Sequence, residues 1–125
     1  MREARAWFIS FFPESLDDIM KAMIDPTTSA NYRMVTSYWD MAASFVNRGA
    51  IDDEMFMDSG GESVVVFCKV QPFIEELRTR LGSPRVMKHL EDLLMRQPNA
   101  LEMLTARREQ MKAWMTARAE MAKGA

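Results

Sequence analysis

Residues 62–81 read ESVVVFCKVQPFIEELRTRL, and the fold turns on how Val64-Val65-Val66-Phe67 is read within them. Three β-branched residues followed by an aromatic form the one plausible strand in the chain. The same residues belong to a longer pattern, Val64, Phe67, Cys68, Gln71, Ile74 and Leu77, which recurs at helical spacing and outruns an ordinary strand. The stretch therefore reads as helix and the fold as all-α. Pro72 falls in its middle, where the missing N–H and the clash of the ring with the Cys68 carbonyl bend the axis or split it in two. Gly82 ends it. Ser83-Pro84 then restarts a helix in the order of cap and first-turn proline, with Val86, Met87, Leu90, Leu93 and Leu94 as its apolar face.

Upstream, Thr27-Thr28-Ser29 caps a helix carrying Tyr32, Val35, Tyr38, Trp39, Ala42, Phe45 and Val46 on one broad face, closed by Gly49. Before it, Pro13 stands at the first turn of a helix whose stripe is Leu16, Ile19, Met20, Met23 and Ile24, ended by Asp25-Pro26. A short acidic turn or helix follows at residues 52–57. Downstream, residues 99–123 are rich in strong helix formers without internal Gly or Pro, which predicts one long terminal helix. The expected architecture is a compact bundle of five to six helices with a Pro72 kink and a long C-terminal helix. It forms a single domain over residues 1–125, with residues 1–12 as an apolar arm or short helix. Thr28 to Arg48 and the kinked Glu62 to Leu81 helix form the expected central pair, and Phe45, Val46, Phe67, Ile74, Leu77 and Leu90 the expected core.

Composition bounds the function. The 125 residues are 48% hydrophobic and 27% charged, the balance of a globular chain rather than a disordered one. Sixteen basic residues against 18 acidic leave a net charge of -2, so no global positive field exists to gather nucleic acid, and no nucleic-acid partner is expected. The charge is unevenly spread: residues 1–12 sum to +1, residues 13–98 to -5 and residues 99–125 to +2. One cysteine and one histidine fall short of a zinc site and suit a reducing cytoplasm. The opening MREARAWFISFF imitates a signal peptide, but its apolar run of about seven residues is too short to span a bilayer and meets Pro13 without a cleavage site.

Tyr38-Trp39-Asp40, followed by Val46-Asn47-Arg48-Gly49-Ala50-Ile51-Asp52, and Phe67, followed by Gln71-Pro72-Phe73-Ile74 and Arg78, resemble a bacterial family of small all-helical domains of unknown function. The resemblance covers about residues 28–96. Members of that family often have glutamate where this chain has Asp40, and many carry an N-terminal membrane helix. The resemblance implies a helical fold and transfers no activity. It also places Asp40 and Arg78 on the central helices among apolar neighbours, where a buried carboxylate needs a cation; the two are expected to form a structural ion pair.

No catalytic residue, cofactor or metal is assigned. Cys68 and His89 could form a thiolate–imidazole pair, but Cys68 sits on an apolar face and His89 beside Lys88 and Glu91 on a solvated one. Asp52, Asp53, Glu54, Asp58 and Glu62 supply oxygens, yet their glycines come too late for a calcium loop, so capping and solvation account for them. Thirteen methionines mostly fill core stripes and leave a plastic partner-binding surface as the live functional idea. The terminal helix has more apolar surface than a free helix exposes and more arginine than a sealed core holds. Leu104, Met111, Trp114 and Met115 are therefore the candidate interaction surface, serving a homodimer or another protein; the other reading, of equal weight, packs the helix on its own domain with arginine stems lying over the core. Two alternatives stand: membrane contact, a minor option, through Trp7, Phe8, Phe11 and Phe12 beside Arg2 and Arg5, and a small enzyme or ligand-binding protein with a carboxylate pocket.

Overall fold

In the computed structural model, which describes residues 1–124, the chain forms α1 (Arg2–Ser10), α2 (Leu16–Ile24), α3 (Ser29–Asn47), α4 (Asp53–Asp58), α5 (Glu62–Val70), a 3-10 turn (Gln71–Phe73), α6 (Ile74–Leu81), α7 (Lys88–Met95) and α8 (Ala100–Lys123). No strand occurs among the described residues, and Val64–Phe67 is helical. The helical segments are more numerous than five to six because the N-terminal stretch and the acidic turn both close helices and because Pro72 divides one helix into α5 and α6.

Local chemistry sets most boundaries. Ser15 accepts from the Asp18 N–H at 3.2 Å while the Asp18 carboxylate accepts from the Glu14 N–H at 2.9 Å, so α2 starts behind Ser15 rather than at Pro13. Gly49 (φ 83°) closes α3 and Gly82 (φ 64°) closes α6, both in the left-handed region that a Cβ disfavours. Pro84 begins a turn instead of a helix, and α7 starts only at Lys88, behind Met87 at φ 53°.

The core runs through the middle of the bundle. Phe8, Ile19, Val35, Val46, Phe67, Ile74, Leu77, Leu90, Leu93 and Leu94 are buried. Two expectations need correcting. Helix α3 packs chiefly on α7 and α1, and α5 chiefly on α8, so α3 and the 62–81 segment are not the central pair; the proline split lets α5 turn its apolar face to both α8 and α7. Phe45 is 47% exposed, because α3 is apolar on more than one side and only the side carrying Val35, Ala43 and Val46 meets the core.

Candidate interaction groove between α1, α5 and α8

Three cations fix the walls of the groove. Lys69 of α5 is completely buried, and its Nζ donates to the carbonyls of Phe8 at 2.7 Å and Ile9 at 3.1 Å, the C-terminal end of α1. A helix C-terminus offers both bare carbonyls and the negative end of the dipole, which is how an ammonium without a carboxylate partner is held there. Burial pushes its pKa down to about 8. Arg5 of α1 closes the other end with a bidentate pair to Glu62 of α5, at 2.8 Å to each oxygen.

Arg108 fastens α8. Its Nη1 donates to the carbonyls of Lys69 at 2.9 Å and Cys68 at 3.4 Å, its Nη2 to that of Pro13 at 2.7 Å, and the guanidinium lies over the rings of Phe12 and Phe73. The Cys68 carbonyl is the one that the Pro72 ring deprives of its helical donor. Arg108 therefore supplies from another helix what the proline removes.

Between these ties lies an apolar groove of about 630 Å³, within the range of ligand and peptide sites. Ile9 and Val65 line one side and Met111, Trp114 and Met115 of α8 the other, with Ala113 and Ala117 beside them. Ile9 is 48% and Trp114 58% exposed. Of the expected surface, Met111, Trp114 and Met115 thus gather at one site. Leu104 does not: it is buried in the core, since the first turns of α8 pack on α5 and α7 and only the later ones stand clear.

The expected Asp40–Arg78 ion pair is corrected by the structure. Arg78, itself buried, bonds Glu75 at 2.9 Å and Glu91 at 3.3 Å and donates from Nε to the Val86 carbonyl at 3.0 Å. Asp40 accepts instead from the Leu90 N–H at 2.9 Å, capping α7 from across the bundle because Met87 offers no side-chain cap. Glu91, on the helix that follows α6, reaches Arg78 first. Both residues still grip one turn, Arg78 through the Val86 carbonyl and Asp40 through the Leu90 amide at the start of α7.

The alternative chemistries are dispersed. The Cys68 thiol donates to the Val65 carbonyl, and burial pushes its pKa up to about 11, opposite to what a nucleophile needs. His89 accepts at its backbone carbonyl from Asn47. Asp40 borders a polar hollow of about 490 Å³ and Arg78 a different one of about 550 Å³. Asp52 caps α4, Asp53 pairs with Arg96 and Glu62 with Arg5; among the described residues no three His, Cys, Asp or Glu side chains stand together as metal ligands. Of the N-terminal aromatics, Trp7 stacks on Phe11, Phe8 meets both edge-on, Phe8 and Phe11 also meet Tyr32, and Phe12 lies under the Arg108 guanidinium; Phe8 is buried and the other three are half-buried. Among the described residues no helix is long and apolar enough to cross a membrane.

Sequence reasoning missed Lys69 and the carbonyls that Arg108 holds. A lysine in the middle of an apolar stripe was the available sign for the first, and an arginine in the Leu104–Met111 row for the second. No curated protein and no solved structure matches the chain. A family model does match, over residues 1–97, and its span ends just short of α8. With more than three quarters of its length covered, the chain belongs to the family described as Domain of unknown function (DUF4760).

Proposed function

We propose that this protein is an interaction module whose groove between α1, α5 and α8 seats an acidic amphipathic helix of a partner protein. The observation that carries the reading is the groove itself: an apolar trough with Trp114 more than half exposed on its rim and two methionines able to repack against different side chains. Charge names the occupant. Helix α1 sums to +1, α5 to zero and α8 to +2, on a chain whose total is -2, so the three helices that frame the groove are basic relative to the rest of the molecule. Arg107, Lys112 and Arg118 are exposed or half-exposed along α8 and bond no carboxylate among the described residues. This reading places the protein in the cytoplasm, the setting that suits a lone thiol.

The test is selection from a displayed library of helical peptides on the intact protein. Acidic amphipathic helices are expected to enrich, to change the fluorescence of Trp114 and to lose binding when Met111→Glu replaces the parent. Enrichment of basic peptides, or of binders indifferent to Met111→Glu, contradicts the proposal.

A further inference from the structure

Helix α3 buries one face, Tyr32, Val35, Thr36, Ala43 and Val46, and leaves another bare. On that outer face Met34, Tyr38, Met41 and Phe45 are 45%, 45%, 49% and 47% exposed. Their spacing of four, three and four residues is the seam spacing of a two-helix coiled coil. Beside the seam, Ser37 and Ser44 are small, and their hydroxyls donate to carbonyls of their own helix, Arg33 at 2.5 Å and Met41 at 2.6 Å, so neither calls for water. The two charges nearest in sequence are turned elsewhere: Asp40 caps α7, and Arg33 donates to the Ser29 carbonyl.

We propose that this outer face of α3 is the seat of a second copy of the chain, docked antiparallel about a two-fold axis that passes between Tyr38 and Met41. In that register Met34 lies opposite Phe45 and Tyr38 opposite Met41, so both aromatics meet a methionine, a favourable sulfur–ring contact, and every layer is filled. The four seam residues carry no charge, and the charges beside Tyr38, Arg5 and Glu62, are already paired with each other, so the seam offers little to a strongly charged partner or an anionic bilayer, whereas an identical uncharged seam matches it. The area suffices for reversible association. Four large side chains at about half exposure leave roughly 400 Å² of apolar surface per copy, on the scale of the largest patch a monomer shows. Doubled and extended by the flanking serines, the contact approaches the ~1,000 Å² at which specific interfaces begin. The seam meets the groove only at the Arg5–Glu62 pair, which Tyr38 borders, and none of its four residues lines the groove.

Sedimentation velocity of the full chain over a range of concentrations tests the proposal. The parent is expected to shift from monomer to dimer. Met41→Glu, at a half-exposed position that leaves the fold intact by circular dichroism, is expected to weaken self-association by about 100-fold or more, since its carboxylate would be buried without a partner. Phe45→Lys serves as a second variant, and Trp114→Ala is expected to dimerise like the parent. Oxidation fixes the register: a mixture of Tyr38→Cys and Met41→Cys chains is expected to cross-link to each other, with buried Cys68 remaining silent. A parent that stays monomeric throughout, or a dimer unaffected by Met41→Glu and Phe45→Lys, overturns the proposal; self-linking by each single variant in place of mixed linking overturns the antiparallel register.

Discussion

A single guanidinium, that of Arg108, holds carbonyls from three residues on two segments of chain, so its loss leaves three part-buried acceptors without this donor. Arg108→Ala is expected to lower stability by about 2–3 kcal/mol in chemical denaturation, and Arg108→Lys by nearly as much, because an ammonium cannot span the same carbonyls. Lys69 makes a pH prediction. In the folded chain its pKa lies at about 8 against an ordinary 10.5, so above pH 8 the unfolded chain binds more protons and stability rises with pH. From about pH 9 the opposite sign enters, since Cys68 keeps its proton to about pH 11 in the fold and sheds it from about 9 when unfolded. Buried Tyr32, held well above the usual tyrosine range, adds to that loss above pH 10. The denaturation midpoint is therefore expected to climb between pH 8 and 9 by an amount worth about 1 kcal/mol and then level off, and the climb is expected to vanish in Lys69→Met. These residues were only half legible in the sequence: a lysine among Val66, Phe67, Cys68 and Val70 announces burial, but which carbonyls receive it depends on α1, distant in sequence. Phe45 shows the converse error, since the seam of α3 uses the same residue types as its core face.

At the scale of the elements, Pro72 and Asp40 act on helix ends. Pro72 splits the 62–81 helix and bares the Cys68 carbonyl, and Arg108 answers it from α8. Arg108→Ala is accordingly expected to cost less in a Pro72→Ala background than alone, with a coupling of about 1 kcal/mol in a double-mutant cycle; strict additivity would separate the two features. Asp40→Ala removes the only side-chain cap that the first turn of α7 receives among the described residues and is expected to cost about 1–2 kcal/mol in the same assay. The helices themselves were legible because periodicity and glycine positions are local properties. The cap on α7 was not. Ser83-Pro84 has the composition of a helix start, yet Arg78 holds the Val86 carbonyl in a turn and Met87 takes a positive φ, so α7 begins four residues later behind a cap lent by α3.

For the molecule as a whole, α8 divides into a part that belongs to the core and a part that belongs to the groove. A chain ended after Asn99 loses Leu104 and Arg108 and is expected not to fold, whereas one ended after Met115 is expected to melt within a few degrees of the parent, by circular dichroism. The composition of α8, arginine mixed with leucine, methionine and tryptophan, showed that it is neither buried nor free, but the point of division depends on how far α5 extends beside it. The central claim is that the groove between α1, α5 and α8 receives an acidic amphipathic helix. Its most direct measurement is a 1H–15N correlation titration of the intact labelled protein with such a peptide: the account predicts shifts confined to the amides of Ile9, Val65, Met111 and Met115 and to the indole N–H of Trp114, and shifts that instead map to α3, or none at all, would contradict it.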